Sequence, residues 1–463
     1  MRVTALNLPD PSGANIIKDL FNGAWCKGGR IGGVSMPPLS LMYALAAVTK
    51  DDTDARVVDA VQERLSGRKL LARLQGTELL IVHTSAYTLA DDSRTLLDLR
   101  RALPDASVAL FGNILPEQAN SLIDQGAADF VCRQDPEATF AEMREHLVGR
   151  GRLAKPIAAL HTRETPMPEL RAATDLDSIR PPDRSKIAHL RYRNPLARHA
   201  RWTTALTSRG CPFTCTFCNT PGYYKRRYRR HGTEYVIDEL RAIARLGFRE
   251  VFFRDDLFHA GAVKTLCEAM IRADLGLVWS CNHRVDTLDE ETIRLMARAG
   301  CHTIKFGVES GDDEVLDAIG KPAHARALET FRLCRKYGIR THAHLIIGLP
   351  GETREQMERT VAFLERLSPY TFTMGMFTPH PGSALHDQLK TAGTLVRGKW
   401  KERVEGNPSQ VSDAELRALL RRTYLRFYLS PRRLAGYALD VRRIPDLAGA
   451  GTRLLRDFVG GQA

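Results

Sequence analysis

Between Thr207 and Asn219 the chain reads Thr-Ser-Arg-Gly-Cys-Pro-Phe-Thr-Cys-Thr-Phe-Cys-Asn, with three cysteines in the spacing C-x3-C-x2-C. Given nine cysteines in 463 residues, chance produces that arrangement only about 0.003 times. Iron–sulfur clusters are held by thiolates, and a cubane of four irons ordinarily takes four of them. Cys211, Cys215 and Cys218 supply three, which leaves one iron open to a ligand that is not protein. The competing reading is a structural zinc site, which asks for a fourth Cys or His at similar spacing; the next histidine is His231.

Composition narrows the setting. A chain that is 43% hydrophobic and 26% charged builds sizeable cores, and its length suggests about three domains. No apolar run approaches a membrane span, and Met1–Leu8 has no basic region ahead of an apolar one, so the expected compartment is cytoplasmic. An odd cysteine count argues against a complete disulfide framework. Net charge is +13, and the densest basic run, Lys225-Arg226-Arg227-Tyr228-Arg229-Arg230, follows the cysteines closely. It reads as a solvated loop, a grip on an anionic substrate, or a docking patch for an acidic electron donor such as flavodoxin or ferredoxin. Nucleic acid is disfavoured, because no binding module with stacking aromatics accompanies it.

Residues 1–148 alternate short apolar strands (Arg2–Leu8, Ala55–Val58, Leu79–His83, Ser107–Phe111, Ala128–Cys132) with helical patterns at Leu39–Val48, Arg94–Leu103 and Leu115–Gln125. That alternation predicts an α/β, doubly wound domain with a parallel sheet. Residues 149–200 are rich in Pro and Arg and read as a linker. Over residues 201–395, strands are expected at Thr203–Thr207, Glu250–Phe253, Leu277–Cys281, Thr303–Val308, Thr341–Ile347 and Thr371–Phe377. Gly247, Gly276, Gly300 and Gly338 close the helices between them. Six βα units predict a partial (β/α)6 TIM-like barrel whose site lies at the carboxyl ends of its strands. Residues 396–463 hold a basic connector, Arg397–Lys401, and helices at Asp413–Leu429 and Pro431–Leu439.

The cysteine spacing, with the aromatic Phe217 just before the last cysteine, resembles the radical S-adenosylmethionine (SAM) superfamily. The resemblance implies a [4Fe-4S] cluster whose open iron is chelated by SAM's amino and carboxylate groups. It also implies electron transfer that cleaves SAM to a 5′-deoxyadenosyl radical, which takes hydrogen from an unactivated C–H bond. Matching segments carry over further expectations. Asp255 and Asp256 would meet SAM's ammonium, though Asp255 also reads as a helix N-cap. Glu309 and Ser310 in Gly307-Val308-Glu309-Ser310-Gly311 would approach its ribose and carboxylate, and Ile346 and Gly348 would pack on adenine. Tyr223, His283, Arg284 and His344 are candidates for the substrate side. His342, His344 and His380 read as polar residues of the barrel mouth rather than metal ligands.

The N-terminal domain resembles the B12-binding domain of the cobalamin-dependent methyltransferase and anaerobic cyclase subgroup. Asn7-Leu8-Pro9, Pro37-Pro38-Leu39-Ser40-Leu41, Asp59 and Thr84-Ser85 match its landmarks. Gly112-Asn113 and Gln134-Asp135 depart from it, since members often have glycines at those turns, where backbone approaches the cofactor. The Phe427–Arg432 segment resembles the subgroup's closing helix and is expected to cap the barrel. Together these imply a cobalamin-dependent radical SAM C-methyltransferase acting on a small-molecule substrate in bacterial natural-product or lipid biosynthesis. The alternative is a cobalamin-free radical SAM dehydratase or deoxygenase of a sugar diol, or an oxidative rearrangement, with a degenerate B12 domain. A tRNA methylthiotransferase would want more N-terminal cysteines than Cys26 and Cys132. A non-enzymatic cobalamin or redox sensor would not need ordered polar strand ends.

Overall fold

The computed structural model describes residues 1–9, 18, 34–85, 88–133, 135–169, 171, 175–321, 324–397, 402–404 and 407–440. Gln134, Cys26 and residues 398–401 of the basic connector lie outside these. The described residues fall into two compact units, with the boundary between Arg193 and Asn194.

In the first unit five short apolar strands pair in parallel: β1 (Arg2–Asn7), β2 (Asp54–Asp59), β3 (Leu79–Thr84), β4 (Ser107–Gly112) and β5 (Phe130–Cys132). Every residue of β3 and β4 is buried, as central strands covered on both faces must be. The helices are α1 (Leu39–Val48), α2 (Gly67–Leu74), α3 (Leu89–Ala102), α4 (Pro116–Asp124) and α5 (Pro136–His146). Eight of the ten residues of α1 are buried, so it packs on all sides rather than along one stripe. The sequence reading names neither α2 nor α5; α2 is eight residues long and buries Leu70 and Leu74, four apart on one face.

A small ribbon, β6 (Leu147–Gly149) with β7 (Arg152–Leu153), follows. Then β8 (Leu160–His161) joins the sheet antiparallel to β5, giving the order β2-β1-β3-β4-β5-β8. The stretch expected to be a linker over 149–200 is instead packed on this unit through Arg193. Lys186 donates to the Ala55 carbonyl at 2.8 Å, and the Tyr192 hydroxyl donates to Asp59 at 2.8 Å. Its prolines end regular structure without freeing the chain.

The parallel order 2-1-3-4-5 reverses between β1 and β3, and such sheets take ligands beyond the carboxyl ends at that point. Charged side chains there are paired within the unit. Asp59 accepts from Asn7 (2.9 Å) and from the Gln62 N–H (3.0 Å), while Asp92 accepts from Thr84, Thr88 and Lys18, each at 2.7 Å. Gly112 has φ of +147°, and a Cβ on it would stand 2.0 Å from the Thr84 carbonyl oxygen, so only glycine fits.

The second unit is a parallel sheet in chain order. Its strands are β9 (Trp202–Ala205), β12 (Glu250–Phe253), β13 (Val278–Arg284), β14 (Cys301–Glu309), β15 (Arg340–Ile347) and β16 (Thr371–Met376). Between β9 and β12 lie the two-residue strands β10 (Ser208–Arg209) and β11 (Arg229–Arg230), the turn α6 (Thr220–Tyr223) and helix α7 (Thr233–Arg245). Helices α8 (Val263–Ala273), α9 (Glu290–Arg298), α10 (Asp313–Ala318), α11 (Ala325–Lys336) and α12 (Arg354–Leu367) make the remaining crossovers. Gly247, Gly276, Gly300 and Gly338 sit at φ of +78°, +63°, +93° and +73°, the left-handed conformation that ends a helix. Among the described residues β9 and β16 do not pair with each other, so the barrel is open, as six units imply. One face of each strand is apolar, as at Ile304 and Phe306 or Ala343 and Leu345. The alternate residues Lys305, His342, His344, Thr371 and Thr373 share the other face.

After β16 come α13 (Ala384–Thr391), the ribbon β17 (Leu395–Arg397) with β18 (Glu402–Val404), α14 (Asp413–Tyr428) and α15 (Pro431–Asp440). An exposed sheet edge leaves backbone groups unpaired, and α14 supplies side chains for the edge at β16. The Tyr424 hydroxyl accepts from the Met374 N–H (2.9 Å) and donates to its carbonyl (3.2 Å); Tyr428 does the same at Phe372 (3.0 and 2.8 Å). No helix among the described residues is long and apolar enough to cross a membrane. Replacing either tyrosine by Phe leaves a buried N–H without a partner, and urea unfolding should show each variant less stable by about 1–3 kcal/mol. Unchanged midpoints would mean that water serves this edge.

Candidate active site

The cysteine loop leaves β10 and returns at β11, and the antiparallel pairs Ser208–Arg230 and Arg209–Arg229 close its base. Gly210 has φ of +82°, and a Cβ on it would lie 2.1 Å from the Arg227 carbonyl oxygen. Glycine before the first cysteine therefore lets the two limbs of the loop touch. Asp255, beyond β12, is fully buried and ties the base to the barrel. Its Oδ1 accepts from the Thr207 N–H (2.9 Å), the Thr207 hydroxyl (2.7 Å) and the Ser208 hydroxyl (2.5 Å). Burial raises its pKa to about 7 against those three donors. Farther along, the Thr216 N–H donates to the Ile319 carbonyl (3.1 Å), and the Thr216 carbonyl accepts from the Leu385 N–H (2.9 Å). The loop is thus pinned at its base, at the end of α10 and at the start of α13.

Inside it the Cys218 N–H donates to the Cys215 carbonyl at 3.1 Å. Cys211 and Cys218 each sense the charges of Cys215 and Asp256, and burial pushes their thiols up to about 11 and about 12. The ligating form is the thiolate, so iron must displace those protons on binding. No group of three His, Cys, Asp or Glu among the described residues converges on a single ion. A cubane does not require that convergence, since each thiolate binds its own iron.

Arg284, expected on the substrate side, is turned to this loop. Its guanidinium carbon stands 3.8 Å from the centre of the Phe213 ring, and its Nη1 donates to the Cys215 sulfur at 3.4 Å. Asp286 holds the guanidinium through Nε (3.0 Å) and Nη2 (2.9 Å). The pair raises the pKa of Arg284 and lowers that of Asp286, in each case against desolvation. A fixed cation therefore lies beside one cluster thiolate.

His283 also departs from the substrate-side expectation. It is buried, its Nδ1 lies 3.0 Å from both the Arg284 N–H and the Thr287 hydroxyl, and burial lowers its pKa to about 4. Tyr223 packs edge to face with Tyr224, ring centres 4.8 Å apart, and Phe217 is half-buried in the loop. Asp256 is half-buried and accepts from Thr220 at 3.3 Å. At the end of β14, Glu309 has φ of +66° where the register with β15 shifts. Its Oε1 pairs with Lys321 at 3.2 Å, while Oε2 is buried without a hydrogen bond. Desolvation raises its pKa against the Lys321 charge. A Cβ on Gly307 would stand 2.4 Å from Oε1, so the glycine makes room for this carboxylate.

Ser310 points elsewhere: its hydroxyl lies 3.0 Å from that of Thr360 and accepts from the Asp312 N–H at 3.1 Å. Ile346 is buried on β15, and Gly348 takes φ of +78° just beyond it. Glu352 holds that turn, accepting the N–H groups of Gly348 (2.7 Å) and Leu349 (3.0 Å), and burial raises its pKa to about 7. Lys321 escaped the sequence reading because it stands in no strand-end motif, and Glu352, which follows the Gly348 turn in the segment after β15, carries no role there. The basic run beside the loop leaves Lys225, Arg226 and Arg227 exposed.

Residues 206–364 match the model of the Radical SAM superfamily. The chain carries a radical SAM domain. An uncharacterised methyltransferase of Pyrococcus horikoshii is 28% identical over 423 residues, covering 87% of this chain and 90% of its own length. The anaerobic magnesium-protoporphyrin IX monomethyl ester cyclase of Rubrivivax gelatinosus is 32% identical over 191 residues, covering 39% of this chain and 34% of its own. Among solved structures, the radical SAM methyltransferase TsrM of Kitasatospora setae, with cobalamin and a [4Fe-4S] cluster bound, aligns at a TM-score of 0.67 and 18% identity. It covers 86% of this chain and 76% of that one.

A radical SAM domain implies a [4Fe-4S] cluster and SAM, and the donor set fits both. Three cysteine sulfurs share one pinned loop, and buried carboxylate oxygens at the neighbouring strand ends, Oε2 of Glu309 and Oδ2 of Asp255, have no protein partner. Because a cation hydrogen-bonded to a cluster sulfur favours the reduced cluster, Arg284→Met should lower the cluster's reduction potential by tens of millivolts in an anaerobic redox titration. An unchanged potential would remove Arg284 from the cluster's surroundings.

Proposed function

We propose that this enzyme is a cobalamin-dependent radical SAM C-methyltransferase acting on a small molecule. The observation that carries the reading is the pinned three-cysteine loop, whose ligands leave one iron open. Its support as a methyltransferase is the match to the Pyrococcus protein, which runs through both units. Further support is the fold likeness to TsrM over 86% of the chain. When bound, the cluster and SAM supply the radical that takes hydrogen from carbon, and cobalamin supplies a methyl carrier.

In this reading the protein's own groups have separate tasks. Cys211, Cys215 and Cys218 hold three irons, and Asp255 keeps the loop over the strand ends. Asp256 takes SAM's ammonium, Glu309 accepts a ribose hydroxyl at Oε2, and Ile346 with the Gly348 turn offers adenine an apolar face. Arg284 steadies the charge on the Cys215 side. Lys225–Arg227 present a basic surface to an acidic electron donor. In the first unit cobalamin would lie at the carboxyl ends of β1, β3 and β4, near Asn7, Thr84, Ser85 and Asn113. The carboxylates at that rim are already paired, so it offers hydroxyl, amide and backbone groups, which suit a ring carrying amide side chains.

Protein purified without oxygen and reconstituted with iron, sulfide and hydroxocobalamin should carry stoichiometric cobalt. Turnover should release both 5′-deoxyadenosine and S-adenosylhomocysteine. Alanine at Cys211, Cys215 or Cys218 should abolish SAM cleavage while leaving the N-terminal unit folded. A cluster-loaded protein that cleaves SAM but takes up no cobalt would point instead to dehydration or rearrangement. Asn113 and the paired rim would then be the marks of a B12-like scaffold without its cofactor.

A further inference from the structure

The sheet of the second unit has one face packed against helices and one that is polar. In register across that polar face stand Asn282, Lys305, His342 and Thr371, and one step toward the carboxyl ends stand Arg284, Gly307, His344 and Thr373. Lys305 interrupts an otherwise apolar strand, Ile304–Val308, at a position where the alternation faces inward. Its ammonium lies 4.1 Å from the centre of the Phe252 ring. Among the described residues it makes no hydrogen bond and no ion pair. Glu250, the carboxylate whose field reaches it, is already engaged by His302 Nε2 (3.0 Å) and by the N–H groups of Arg198 (2.6 Å) and His199 (2.9 Å).

Two histidines of β15 lie beside the cation, His342 directly across from Lys305 and His344 one step on. The rings of His342 and His344 are 4.5 Å apart, and their Nδ1 atoms lie 2.8 and 2.7 Å from the hydroxyls of Thr371 and Thr373. Burial and the neighbouring positive charge hold both well below the usual imidazole range, so both are neutral, and Nε2 of His342 also lies 3.2 Å from the Thr373 hydroxyl. Desolvation likewise lowers Lys305, to about 8. A half-buried ammonium without an acceptor is costly to keep, and an incoming anion offsets that cost. Four residues separate Lys305 from Glu309, about 13 Å along a strand, so the group lies deeper than the strand ends expected to meet SAM.

We propose that Lys305, with His342 and His344, forms the binding site for an acidic group of the substrate, a carboxylate or a phosphate. This rests on the reading of the second unit as a radical SAM barrel that takes a small molecule. It deepens that reading by stating that the molecule is an anion whose charged end sits inside the barrel.

The test uses the full chain with its cluster reconstituted, titrated calorimetrically with inorganic phosphate, with acetate and with SAM in separate experiments. Wild type should bind phosphate or acetate, and whichever binds more tightly tells phosphate from carboxylate. Lys305→Met, which keeps the stem and removes the charge, should weaken that binding about tenfold or more, as expected of a charge-assisted contact. Lys305→Arg should retain most of it, and SAM affinity should be the same in all three proteins. Equal anion binding by wild type and Lys305→Met, or none by wild type, overturns the proposal. So does a loss of SAM affinity in Lys305→Met matching the loss for the anion, since the cation would then serve SAM's own carboxylate. Failure of the wild type to cleave SAM would contradict the radical SAM reading and leave the anion titration standing.

Discussion

A buried carboxylate sets the geometry on which the site depends. Asp255 sits at the end of β12 and gathers two hydroxyls and a backbone N–H from Thr207 and Ser208, the residues that lead into the cysteines. Without that tie the base of the loop would rest on a ribbon of two residue pairs, with Thr216 alone held to α10 and α13. With it, the cysteines are held to the same strand ends that carry Asp256, Arg284 and Glu309. Charge-assisted hydrogen bonds to a buried acceptor are stronger than neutral ones, and here they fix position ahead of any cofactor.

The rest of the site follows a division of the strand ends between holding and presenting. Arg284 and Ser310, with one carboxylate oxygen each of Asp255 and Glu352, bond to the protein itself and set loops and turns. Glu309, through Oε2, and Lys305 keep capacity for something else. Both sets consist of polar residues beyond or within parallel strands. What separates them is the direction of each side chain, which follows from contacts with partners far away in the chain, such as Phe213 for Arg284 or Thr360 for Ser310.

That is why some features were legible in the sequence and others were not. The cysteine spacing is local, and so are the helix-ending glycines and the apolar runs of β12 and β15, which emerged within a residue or two of their expected limits. Helix α2 is hard to see because it is only eight residues long, two turns with Leu70 and Leu74 on the buried side. The segment after residue 149 looked like a linker because proline breaks regular structure whether or not the chain is packed. Arg284 and His283 were placed on the substrate side by their position at a strand end. Alternation puts His283 on the face shared with buried Cys281, and the Asp286 pair turns Arg284 to the cysteine loop. Lys305 could have been found from the same alternation, as a charge at an inward position of an apolar strand.

The central claim is that one iron of a cluster held by Cys211, Cys215 and Cys218 is open to SAM. The direct measurement is electron paramagnetic resonance of the dithionite-reduced, reconstituted protein before and after SAM is added. The account predicts a reduced [4Fe-4S] signal whose g-values shift when SAM binds. A reduced cluster whose spectrum is indifferent to saturating SAM would contradict it, because every iron would then have its ligand from elsewhere.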